Sequence, residues 1–143
     1  MARSLTIGNP LIDDSSNCFV IAEIGHNHQG DVAKAAMLVR TAAECGVDAV
    51  KFQKRDNRRL FTRALYDKPY ENESSFGATY GEHRDFLEFG LEEYRELKSL
   101  AEDLGLEFFA TPFEEYSADF LAELDVPAFK IASGDLNNTP LLK

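Results

Sequence analysis

This 143-residue chain has no excess of basic charge, no long apolar run, no paired-cysteine spacing and no glycine-rich cofactor loop. Each absence excludes something. With 15 basic against 25 acidic residues the formal charge is −10, the wrong sign for a module that must neutralise phosphates, so no nucleic-acid partner is expected. No apolar run approaches the ~20 residues needed to cross a bilayer, and none is followed by a signal-peptide cleavage pattern; no membrane partner is expected. Cys18 and Cys45 are the only two cysteines, without the count or spacing of a disulfide framework or a zinc site. They read as small core residues, and a reducing, cytoplasmic setting is the simplest expectation. Neither GxGxxG nor a P-loop occurs, and no serine sits in a GxSxG elbow.

What is present is enough apolar material, 44% of residues, for one compact core. Four short runs read as strands, Phe19–Glu23, Ala49–Gln53, Glu107–Thr111 and Ala128–Ala132. They are nearly continuously apolar, as strands of a parallel sheet covered on both faces must be. Between them the period lengthens to that of a helix. Val32, Ala35, Ala36, Val39, Ala42 and Ala43 form one face after the candidate cap Asp31, and Gly46 ends it. A second helix carries Leu91, Tyr94, Leu97, Ala101 and Leu104; a third, shorter one carries Phe120, Leu121 and Leu124. Thr139-Pro140 has the form of a cap and first turn of a fourth. Leu5–Ile12, turning at Gly8-Asn9-Pro10, reads as a small leading hairpin.

Alternating strands and helices define an α/β fold with right-handed crossovers. An open doubly wound sheet and a (β/α)8 TIM-type barrel both satisfy the pattern. A complete barrel takes ~250 residues, so this chain would supply its first half, about four strands, and would read as truncated.

Strand alternation separates the polar residues from the core. Val50 and Phe52 fall on one face of their strand and Lys51 and Gln53 on the other; Lys130 stands opposite Phe129 and Ile131, Glu23 opposite Ala22 and Ile24, and Thr111 opposite Ala110. A single strand lysine is most simply half of a structural ion pair. Two lysines with one glutamate leave a net positive charge at the carboxyl ends of the strands, where α/β folds bind ligands, and a phosphorylated or carboxylated guest satisfies it. Lys51, Lys54, Arg55, Arg58, Arg59 and Arg63 add a basic stretch, read mainly as solvated and irregular surface. The long connection from Lys54 to Phe89 has the length of a lid or binding loop. His26 and His28 have a spacing that can ligate a metal, although loop histidines more often only hydrogen-bond.

The segments Ile21-Ala22-Glu23-Ile24-Gly25-His26-Asn27-His28-Gln29-Gly30 and Ala49-Val50-Lys51-Phe52-Gln53, with Thr79-Tyr80-Gly81-Glu82-His83-Arg84, Ala110-Thr111-Pro112-Phe113 and Phe129-Lys130-Ile131-Ala132-Ser133-Gly134-Asp135, together resemble the N-acetylneuraminate (sialic acid) synthase family. The resemblance runs from about Phe19 to the C-terminus. It implies the N-terminal half of a (β/α)8 barrel that condenses phosphoenolpyruvate with an N-acylated amino sugar, giving a nine-carbon keto sugar acid and phosphate. By the same resemblance, Lys51, Thr111, Lys130 and Ser133 would bind phosphoenolpyruvate. Glu23, Gln53 and Asp135 would lie beside the reacting carbons or sugar hydroxyls, Asp135 standing where some members carry glutamate. Asn72 would contact the sugar. Glu23, Lys51 and Lys130 are the expected catalytic set. The resemblance also implies a divalent manganese or magnesium ion, its ligands and an antifreeze-like domain lying outside this chain, and a homo-oligomer. Two other readings stay open: a metal-dependent amidohydrolase-like barrel using His26, His28 and Lys130, and a non-catalytic half-barrel fragment.

Overall fold

The computed structural model describes residues 3–143. The chain opens with the expected hairpin, β1 (Ser4–Thr6) paired antiparallel to β2 (Leu11–Asp13), with Leu5 opposite Ile12. The parallel sheet follows. Strand β3 (Ile21–Gly25) leads into helix α1 (Val32–Glu44), capped by Asp31, whose carboxylate accepts a 3.1 Å hydrogen bond from Lys34 N. Strand β4 (Ala49–Lys54) comes next.

The long connection is more ordered than its composition predicts. It folds into three short helices, α2 (Asn57–Leu60), α3 (Arg63–Tyr66) and α4 (Tyr80–Phe86). Each begins at a side-chain cap: Asp56, Thr62 and a reciprocal Thr79–Glu82 capping box. The basic stretch divides accordingly. Arg58, Arg59 and Arg63 are exposed, whereas Lys51 and Lys54 are buried and Arg55 is half-buried.

Helix α5 (Leu91–Asp103), strand β5 (Glu107–Pro112) and helix α6 (Glu115–Glu123) complete the regular elements. The parallel sheet has the order β3-β4-β5. Its core face, through Val50, Phe52 and Phe108, packs against Val39 of α1, Tyr94 and Leu97 of α5 and Leu121 of α6. The alternation read from the sequence holds: Val50 and Phe52 enter this core, and Lys51 and Gln53 line the opposite side.

Three expectations are corrected. Ala128–Ala132 forms no extended ladder; it meets β5 through one parallel bridge, Ala110 to Phe129, with Lys130 N donating to Ala110 O at 3.1 Å. Pro127 has no N–H to begin a ladder, and after Ala132 the chain bends into a 3-10 turn, Ser133–Asp135. The fourth helix does not form. Residues beyond Pro140 make one bond of α-helical span, Leu142 N to Asn138 O, and helix growth needs several in succession. Both cysteines are exposed rather than in the core. Cys45 continues the spacing of Ala35, Val39 and Ala42, but it falls on the C-cap, where α1 has ended.

Candidate active site

A cleft of about 730 Å³ opens at the carboxyl ends of β3, β4 and β5. Of the residues expected from sequence, Glu23, Lys51, Gln53 and Thr111 reach it from the strands. Lys130, Ser133 and Asp135 reach it from the segment that follows α6. Asn72 does not line it: it lies exposed in the connection between α3 and α4, its side-chain oxygen accepting from Ser74 N at 2.9 Å. An Asx-type local bond of this kind holds a turn together.

The strand register creates the centre of the site. Glu23 and Lys51 occupy paired positions on β3 and β4, and Glu23 Oε2 closes an ion pair with Lys51 Nζ. Lys51 Nζ also donates to Thr111 Oγ1 of β5 at 3.3 Å. One lysine thus links three neighbouring strands. Lys51 is buried while Glu23 is exposed to the cleft. Past Glu23 the β3 register shifts, and Gly25 takes φ +56°, a conformation in which an L side chain is strained.

Sequence reasoning missed part of the wall. Arg55, Arg84, Tyr80, Phe61 and Phe113 also line the cleft. Arg55 was legible in principle, because it continues the alternation Lys51, Gln53, Arg55. Its guanidinium stacks on Phe113 at 3.7 Å and donates to Gln53 Oε1 at 2.7 Å. Burial, reinforced by the like charge of Arg84, lowers its pKa to about 10. Four cations, Lys51, Arg55, Arg84 and Lys130, therefore share the cleft with two carboxylates, Glu23 and Asp135, in a chain of charge −10. This local excess suits an anionic guest.

Behind the cleft lies a buried polar cluster. Glu88 accepts from Lys54 Nζ at 3.2 Å and from Arg55 N at 3.1 Å, and faces His26 Nε2 at 3.2 Å. Burial works against its charge, but His26 and Lys54 prevail and hold the carboxyl below the usual range. Arg55 and Arg84 each come within 3.3 Å of His26 Nδ1.

The histidines have separate tasks. His28 is buried and stacked on Phe89 at 4.1 Å, and its Nδ1 accepts from Gly30 N at 3.1 Å. Burial lowers its pKa to about 4. His83 accepts from Phe76 N at 3.2 Å through Nδ1. Neither His26 nor His28 lines the cleft that holds Lys130, which removes the geometric basis for the amidohydrolase-like reading. Among the described residues no group of three or more His, Cys, Asp or Glu side chains could hold a metal ion. The residues present do not by themselves fit the divalent ion expected from the resemblance.

A parallel α/β sheet with a cation-rich cleft at its carboxyl edge defines a ligand-binding α/β domain. The chain belongs to the NeuB family, whose profile matches residues 38–143. It is 49% identical over 126 residues to N-acetylneuraminate-9-phosphate synthase of Mus musculus, an alignment covering 88% of this chain and 35% of that protein. It is 42% identical over 130 residues to N,N'-diacetyllegionaminic acid synthase of Legionella pneumophila, covering 90% and 36%. In structure it is similar to the N-acetylneuraminic acid (sialic acid) synthetase of Leptospira borgpetersenii, solved with citrate: TM-score 0.79, 32% identity, 99% of this chain and 45% of that one. The chain spans about a third of the length of the curated relatives it matches.

Proposed function

We propose that these residues form the first part of a (β/α)8 barrel that condenses phosphoenolpyruvate with an N-acylated amino sugar. The observation that carries this reading is the cleft: Lys51, tied to Glu23 and Thr111, faces it together with Lys130, Arg55 and Arg84 at the carboxyl ends of parallel strands. Membership of a family with sialic and legionaminic acid synthases supports it. The acceptor is N-acetylmannosamine or a related hexose, with or without a phosphate. The complete enzyme is proposed to be cytoplasmic, a homo-oligomer, and dependent on a divalent manganese or magnesium ion held from outside these residues.

In this reading Lys51, Thr111, Lys130 and Ser133 hold the carboxylate and phosphate of phosphoenolpyruvate, so that its C3 faces the acceptor aldehyde. A bond forms between C3 and the aldehyde carbon, leaving positive charge at C2. The Glu23 carboxylate stabilises that charge. Water then adds to C2, and the bond from C2 to the bridging oxygen breaks. One proton of the water ends on the new hydroxyl and the other on the departing phosphate. Gln53 and Asp135 line the acceptor side.

Phosphoenolpyruvate labelled with heavy oxygen in the C2–O–P bridge tests the scheme. The label should appear in inorganic phosphate, and only when an N-acyl amino sugar is present. Label retained in the organic product, or phosphate released without acceptor, would refute it.

A further inference from the structure

Arg55 belongs to no motif that carries the family resemblance, yet it is the most constrained cation of the cleft. Its backbone N donates to Glu88, its guanidinium stacks on Phe113, and one terminal nitrogen lies 3.3 Å from His26 Nδ1. The other, Nη2, donates to Gln53 Oε1 at 2.7 Å. A guanidinium can only donate. The oxygen of the Gln53 carboxamide must therefore face Arg55, and Nε2 must face away from it.

What Nε2 faces is set by Gly25. A side-chain atom placed on Gly25 would lie 3.4 Å from Glu23 Oε1 and 3.5 Å from Gln53 Nε2, with no other residue nearer. The space above Gly25 is thus bounded by a pure hydrogen-bond donor on one side and a carboxylate oxygen on the other. Glu23 Oε2 is already engaged by Lys51, so Oε1 is the oxygen left to face this space. A group that accepts from Gln53 and donates to Glu23 is an O–H.

We infer that Arg55 is a positioning residue which fixes the Gln53 amide as a donor, so that Gln53 Nε2 and Glu23 Oε1 together hold one O–H group over Gly25. This rests on the proposed synthase reading for its chemical context; the arrangement of Arg55 and Gln53 stands apart from it. The O–H is either a water or a hydroxyl of the acceptor, which share this chemistry.

Two measurements separate the possibilities. In protein carrying 15N in its glutamine side chains, Gln53 is assigned by its loss in Gln53→Asn, and exposed Gln29, the only other glutamine of these residues, is the internal control. Arg55→Ala should release the Gln53 amide from a rigid to a mobile state and leave Gln29 unchanged. An equally rigid Gln53 in Arg55→Ala would overturn the inference, whatever the protein catalyses. In the complete enzyme Arg55→Ala should lower kcat/KM roughly 10- to 100-fold, with the KM for phosphoenolpyruvate unmoved. Arg55→Lys, which keeps a donor, should restore part of the loss, and Arg55→Ala combined with Gln53→Ala should be no worse than Gln53→Ala alone. Multiplicative losses in the double variant would overturn the inference. A raised KM for the acceptor identifies a sugar hydroxyl; a fall in kcat alone identifies water. Absence of synthase turnover in the wild type, with Gln53 still released by Arg55→Ala, would sink the functional reading and keep the positioning role.

Discussion

Glu23 and Lys51 stand at paired positions on adjacent parallel strands, and their side chains close an ion pair in which the lysine is buried and the carboxylate faces the cleft. The asymmetry matters. A buried ammonium needs its partners, whereas a carboxylate open to the cleft can turn to a ligand as well.

The first expected outcome concerns ligand affinity. In the complete enzyme, Lys51→Ala should weaken phosphoenolpyruvate binding by about 1.5–3 kcal/mol, the usual worth of a hydrogen bond to a charged group. Lys130→Ala should cost less, because Lys130 is exposed and solvent screens its charge. Calorimetric titration checks both; equal, negligible losses would remove these lysines from the site.

A second outcome concerns the cluster behind the cleft. Glu88→Ala strands the buried Lys54 ammonium, leaving it only the Phe89 carbonyl at 2.9 Å, a marginal bond to Arg55 O at 3.5 Å and the Phe120 ring at 4.9 Å. Removing one member of a buried pair costs about 3–5 kcal/mol. Chemical denaturation should find a loss near the lower end, since these other partners remain. A variant as stable as wild type would show that the cluster contributes nothing net.

A third is a pH dependence. His28 titrates at about 4 in the fold against 6.5 for the unreacted side chain. Between these values the unfolded chain binds the proton and the folded chain does not. Stability should therefore be full above pH 6.5 and fall as the pH drops toward 4, by up to about 3 kcal/mol. His28→Gln should flatten that part of the stability curve, measured by denaturation at several pH values; an unchanged slope would assign it to other groups.

A fourth concerns association. Among the described residues β3 pairs only with β4, and Val20, Ile21 and Phe129 are exposed. An open strand edge beside apolar side chains favours pairing with another chain. Sedimentation of the 143-residue protein should find a dimer or larger assembly, and a monomer persisting at high concentration would contradict this.

The sequence by itself determined the local elements and the two faces of the sheet. A period of two in Val50-Lys51-Phe52-Gln53 sends alternate side chains to opposite sides whatever the strand is paired with, so Lys51 and Gln53 were assignable to the cleft face from spacing alone. The spacing of Val39 and Ala42 likewise assigned α1 its core face. Where the expectation failed, the cause was not local. Ala128–Ala132 has strand composition, but hydrogen bonding to β5 and the bend after Ala132 decided that it makes one bridge. Tertiary structure alone decided that Glu23 meets Lys51, because interstrand register depends on the pairing of two segments 28 residues apart. It also decided that Arg55, one cation in a run of six, turns inward against Phe113, His26 and Gln53, while Arg58 and Arg59 remain exposed. Charge composition is the same for all of them; only the packing of α4 and its Arg84 against the strand ends distinguishes a solvated arginine from one that shapes a site.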